Sequence, residues 1–141
     1  TVAENCTSGE LLHRNAWRLL RPGGIAVHWF ATLGALPFLA NRLLPESVSS
    51  GLLRRFAPRD VERHGKFPAR YSWCRGPTSR RLRAYCDLGF EVVAYHGYFG
   101  HKYYKRRLPL LHRLELAKTA FLLRRPLPSL TSYAKVVLRK R

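Results

Sequence analysis

One domain fits within 141 residues, and two do not fit comfortably. Lys and Arg number 26 against 8 Asp and Glu, a formal charge of +18, and a hydrophobic share of 46% excludes a mainly solvated, disordered chain. Three cysteines, an odd number, argue against a disulfide-stapled secreted scaffold.

The opening residues, TVAEN, read as the end of a strand or as a loop. Thr7 or Ser8 can then accept a hydrogen bond from an early backbone N–H, and Glu10 suits the positive end of a helix. Leu11, Leu12, Ala16, Leu19 and Leu20 recur at helical spacing until Pro22-Gly23-Gly24 stops the run. The next segment, IAVHWF at 25–30, is short, apolar and bounded by glycine, which predicts a central strand buried on both faces. A helix is expected from about Leu33 to Leu44, ended by Pro45, and a short one within SVSSGLLRRF. Residues 57–77 form an irregular basic loop punctuated by Phe67, Tyr71 and Trp73. Loops of this length are mostly functional or disordered, and the aromatics argue for the former.

Thr78 or Ser79 caps the next helix, which runs to about Leu88, where Gly89 supplies a left-handed stop. FEVVAYHGYF at 90–99 predicts a strand. From Tyr103 to Arg124 the chain is mostly helical, with Leu110, Leu111, Leu114, Ala117 and Phe121 on one face. SYAKVVLRK at 132–140 is the last strand. Alternating strands and helices indicate an α/β layered domain. A central strand at 25–30 needs neighbours that three strands barely supply. The chain contains no Met and begins with Thr1, so a processed chain or a piece of a longer one is expected.

The positive charge is clustered. Nine basic and two acidic residues lie between Leu52 and Arg81; Lys102, Lys105, Arg106 and Arg107 form a second group, and Lys135, Arg139, Lys140 and Arg141 a third. Each is interleaved with apolar residues, which describes a folded protein with a basic surface. Nucleic acid, an anionic substrate or an acidic membrane surface would all match that charge. The longest apolar stretch, residues 23–45, contains His28, Pro37, Asn41 and Arg42 and reads as strand plus helix, without a transmembrane segment. No secretory pattern opens the sequence, and the expectation is a cytoplasmic location, in one variant peripheral at the membrane.

Catalytic motifs are sparse. The six histidines include no pair at i, i+4, the cysteines form no CxxC, and no metal site is expected. Cys74 precedes Arg75, which would lower a thiol pKa, although a partly buried structural cysteine is the plainer reading. Glu4 stands out because it follows a possible strand end, where α/β folds place ligands.

The segment ELLHRNAWRLLRPGGIAVHWF resembles the second half of a class I S-adenosylmethionine-dependent methyltransferase. That family runs a helix, a Leu-Arg/Lys-Pro-Gly-Gly turn and then its fifth strand; here these are 10–18, Leu20-Arg21-Pro22-Gly23-Gly24 and 25–30. TVAEN is similar to the stretch after the fourth strand, with Glu4 matching and Asn5 in place of a histidine. TSRRLRAYCDLGFEVVAY resembles the penultimate helix and sixth strand, and SYAKVVLRK the seventh, which pairs antiparallel with its neighbours.

The resemblance spans nearly all of the chain and implies a partial Rossmann-like methyltransferase sheet, with equivalents of strands 5, 6 and 7 and flanking helices. Residues 1–141 would be the C-terminal portion of one methyltransferase domain, with a basic loop or cap at about 45–77 and an inserted helix at about 103–124. The implied activity is methyl transfer from S-adenosyl-L-methionine to a small-molecule or lipid acceptor. The family's glycine-rich cofactor loop has no counterpart here, so the chain by itself is expected to be inactive. Glu4 and Asn5 are the cofactor-side candidates, and Phe30, Thr32, Tyr71 and Trp73 the substrate-side ones. Two alternatives stand beside this reading: a basic α/β module that grips nucleic acid by stacking bases on Tyr71 and Trp73, and an inactive truncated methyltransferase.

Overall fold

The computed structural model describes residues 3–45, 47, 48, 51, 70–100, 105 and 109–141. Most of the basic stretch expected at 45–77 lies outside the described residues, and of the short helix expected in SVSSGLLRRF only Ser47, Val48 and Gly51 are described, all helical. The start of the helix expected from Tyr103 also lies outside the described residues.

Ser8 begins helix α1 (Gly9–Leu19) in an extended conformation, and its hydroxyl accepts the Leu11 N–H at 3.2 Å. Glu10 sits in the first turn and pairs with Arg14 one turn on at 2.6 Å, both half exposed. The chain reverses through Pro22 and Gly23, whose φ of 75° favours glycine. That turn is tied to the far end of the chain: Gly23 N–H donates to the Lys140 carbonyl at 3.0 Å, and Lys140 N–H to the Gly24 carbonyl at 2.9 Å. Lys140 Nζ also donates to the Leu20 carbonyl at 2.9 Å and lies 4.0 Å from the Trp17 ring centroid, a cation at the negative end of α1.

Strand β1 (Ile25–Ala31) follows, then α2 (Leu36–Leu43), α3 (Ser79–Asp87), β2 (Phe90–Tyr98), α4 (Pro109–Arg124) and β3 (Tyr133–Lys140). Single 3-10 turns lie at Ala3–Asn5 and Pro128–Leu130. The chain is thus a mixed α/β structure around a small three-stranded sheet, ordered β1-β3-β2. β3 pairs antiparallel with both neighbours, from Ile25↔Arg139 to Ala31↔Tyr133 on one side and from Phe90↔Lys140 to Tyr98↔Tyr133 on the other. β1 and β2 therefore run parallel to each other with β3 between them.

Ala134, Val136 and Leu138 of β3 point into a core completed by Phe30, Phe90 and Tyr85. Leu12 and Trp17 of α1 and Leu88 after α3 pack on the same cluster, so both helices cover one face of the sheet. The central strand is β3, not β1. β1 alternates, with Ile25, Val27 and Trp29 exposed on one face and Phe30 buried on the other. A short apolar run looks the same whether both faces are covered or one is left open. Among the described residues nothing pairs with the outer edge of β1.

The orientation of α4 also departs from expectation. Leu110, Leu114 and Phe121 are exposed, while Glu115 and Leu122 are buried. The face turned inward carries Glu115, which has partners on two other segments, described below.

Under α1 the core holds an aromatic cluster. His13 is 1% exposed, with its ring 4.6 Å from His28, 5.5 Å from Trp73 and 4.9 Å from Tyr85. Burial first, then the charges of His28 and Arg81, lowers its pKa from 6.5 to about 3. Between those two values the unfolded chain binds the extra proton, so stability is full above about pH 6.5 and declines as the pH falls toward 3. The slope approaches roughly 1.4 kcal/mol per pH unit. Thermal melts should show a midpoint dropping steadily from about pH 7 to about pH 5, and His13→Leu should flatten that dependence. An unchanged slope in the variant would remove His13 from the account.

Candidate functional site

Helix α1 feeds β1 through a tight turn, and α3 feeds β2 through Gly89, so each helix runs back along the strand it precedes. The carboxyl ends of β1 and β2 and the amino ends of α1 and α3 therefore meet at one end of the layer. Open α/β sheets bind ligands outside the carboxyl ends of their parallel strands. Helix amino ends bring unpaired N–H groups and partial positive charge to the same place.

Several of the candidate residues gather at this end. The Glu4 carbonyl accepts the N–H groups of Arg70 at 2.7 Å and Tyr71 at 3.0 Å, joining the Ala3–Asn5 turn to the end of the basic stretch. Ser72 Oγ accepts the Gly9 N–H at 2.9 Å, which seats the same stretch on the start of α1. Tyr71 and Trp73 have φ angles of 52° and 65°. Left-handed backbone at bulky side chains costs about 1 kcal/mol or more and clusters at binding and catalytic sites. Here the surrounding packing holds both: Tyr71 is buried near Phe38, and the Trp73 ring lies against His13, Tyr85 and the Arg81 guanidinium, 4.7 Å from its centroid.

Phe30 is 1% exposed and belongs to the core cluster. Thr32 is equally buried: its hydroxyl donates to the Thr131 carbonyl and accepts the Gly34 N–H at 3.2 Å. Its main-chain N–H donates to the Ser132 carbonyl at 3.0 Å, and Ser132 N–H to the Tyr98 carbonyl at 2.7 Å, so the carboxyl ends of β1 and β2 are laced through 131–132. Glu4, Asn5, Tyr71 and Trp73 thus share one neighbourhood, Phe30 belongs to the same buried cluster as Tyr71, and Thr32 is bonded instead to the 131–132 segment.

Two features of the site were not anticipated. The first is a buried ion pair. Glu115 Oε1 lies 2.7 Å from Lys118 Nζ and accepts the Ser132 hydroxyl at 2.9 Å, while Oε2 accepts the Leu36 N–H at 3.1 Å. A carboxylate from α4 therefore caps the start of α2, and Lys118 donates to the Gly34 carbonyl beside it. The second is a cleft of about 380 Å³ at the start of α3, lined by Arg75, Thr78, Arg80, Arg81 and Ser129. Arg75, Arg80 and Arg81 were legible only as part of a basic run. Helical spacing of apolar residues concealed Glu115.

Cys74 is 1% exposed, and burial, reinforced by Glu4 and Cys6, pushes its thiol up to about 12 despite Arg75. It is a structural cysteine. Among the described residues no group of three His, Cys, Asp or Glu is arranged to hold a metal, and no helix is long and apolar enough to cross a membrane. Comparison of the chain with protein-family models and with curated proteins finds no match.

Proposed function

We propose that this chain forms the second half of an S-adenosylmethionine-dependent methyltransferase domain acting on a small-molecule or lipid acceptor. The strand order carries the reading. The last strand lies between the other two and pairs antiparallel with both, which supports the seventh strand that the family resemblance implies. The Leu-Arg-Pro-Gly-Gly turn enters the first of these strands, and both preceding helices cover one face. The outer edge of β1, unpaired among the described residues, suits a sheet that continues, and the exposed Ile25, Val27 and Trp29 suit a sheet whose second face is also covered.

The described residues do not by themselves enclose S-adenosylmethionine. The Glu4–Asn5 turn offers one edge, and the nearby cleft is lined by three arginines, which repel a sulfonium cation. On this proposal the main cofactor contacts come from outside residues 1–141. This chain supplies the base of the site, formed by the Glu4 turn and the strained Tyr71–Trp73 segment bonded to it. Base stacking on nucleic acid draws less support, because Tyr71 is buried and the Trp73 ring is already engaged. Ultraviolet cross-linking of methyl-labelled S-adenosylmethionine to the full-length polypeptide tests the reading. Label displaced by S-adenosylhomocysteine is the expected result; no displaceable label would sink it.

A further inference from the structure

We infer that the cleft at the start of α3 binds a phosphoryl group, carried by a small phosphate monoester or diphosphate. This inference goes beyond methyl transfer and does not depend on it.

The cleft brings Arg75, Arg80 and Arg81 together with the hydroxyl-bearing Thr78 and Ser129, and no carboxylate among the described residues lines it. None of the three arginines is ion-paired to an acid among the described residues. Three guanidinium groups sharing one cleft repel one another unless an anion lies between them. Arg81 is held in place by the Trp73 ring, and its Nε is buried without a hydrogen-bond partner. Thr78 stands at the N-cap of α3, yet its side chain makes no capping bond and is left for a ligand. The Ser79 and Arg80 amides lie in the first helical turn, ahead of any carbonyl of their own helix.

The walls are fixed. Tyr95 Oη donates to the Arg75 carbonyl at 2.6 Å, and Gly76 packs directly on the Pro128 carbonyl, setting Ser129 opposite Thr78. Three guanidiniums, two hydroxyls and a helix amino end exceed what the two oxygens of a carboxylate can accept from. They suit a phosphoryl group, whose several oxygens take forked guanidinium contacts. About 380 Å³ leaves room for a substituent beyond the phosphate.

The test is calorimetric titration of pyrophosphate into the full-length polypeptide at constant ionic strength. Saturable binding is expected. It should weaken about tenfold or more in Arg75→Gln/Arg80→Gln, while Arg14→Gln on the exposed side of α1 leaves it unchanged. Arg75 and Arg80 are both exposed, so their loss should spare the fold, and Ser129→Asp offers a second variant that places a repelling charge at the rim. Phosphatidate-containing vesicles that displace pyrophosphate would assign the phosphoryl group to a lipid headgroup; vesicles that do not would assign it to a free phosphoester. No saturable binding, or equal binding by wild type and both cleft variants, would overturn the inference.

Discussion

Glu115→Ala is expected to destabilise the fold by about 3–5 kcal/mol, the usual cost of removing one partner from a buried ion pair. Its carboxylate is 1% exposed and serves three donors: Lys118 Nζ, the Ser132 hydroxyl and the Leu36 N–H. Alanine leaves Lys118, only 15% exposed in its side chain, without its counter-charge, and leaves the start of α2 uncapped. Glu115→Gln keeps an acceptor for Leu36 and Ser132 and should cost less. Urea denaturation of the three proteins distinguishes these outcomes. A midpoint for Glu115→Ala close to wild type would mean that α4 does not brace the carboxyl ends of the strands.

Gly76→Ala should cost about 3 kcal/mol, at the upper end for overpacking. An added Cβ would fall inside the contact distance of the Pro128 carbonyl oxygen and lie 2.5 Å from Thr131 Oγ1. Relief requires a backbone shift, because a carbonyl has no rotamer to change. The same 128–131 segment meets Gly34 and Gly97 at comparably close approach. Three backbones therefore converge where β1, β2 and the entry to α3 meet. Gly51→Ala, whose Cβ meets nothing within 4 Å, is the control and should change the melting temperature little. Pyrophosphate affinity should fall along with stability in Gly76→Ala, since the shift moves Ser129 relative to Thr78. Equal stability of the two alanine variants would contradict the close packing.

Local chemistry explains what the sequence disclosed. Ser8, Pro22-Gly23 and Gly89 act through neighbours a few residues away, and the elements they bound fall within about one residue of expectation. All three strands were legible as apolar runs between turn residues. Their arrangement was less so. The family resemblance implied only that the last strand pairs antiparallel with its neighbours; its central place went to β1 instead, whose apolar run concealed a half-open strand.

Long-range partners account for the remaining differences. Glu115 reads as a polar interruption beside an apolar stripe until Leu36, 79 residues away, is seen to donate to it. Thr78 was anticipated as a cap, and it holds the capping position, but its hydroxyl is unused there. Tyr71 and Trp73 were noticed as aromatics in a basic loop. Their left-handed backbone, imposed by the start of α1 and the Glu4 turn, had no local signature.

The most direct measurement is calorimetric titration of S-adenosylhomocysteine into the 141-residue chain and, in parallel, into a form extended upstream. Binding by the extended form alone is the predicted result, since on the proposed reading the described residues offer the cofactor no more than the edge at Glu4 and Asn5. Binding by neither form would contradict methyl transfer, and equal binding by both would contradict the placement of the main cofactor contacts outside this chain.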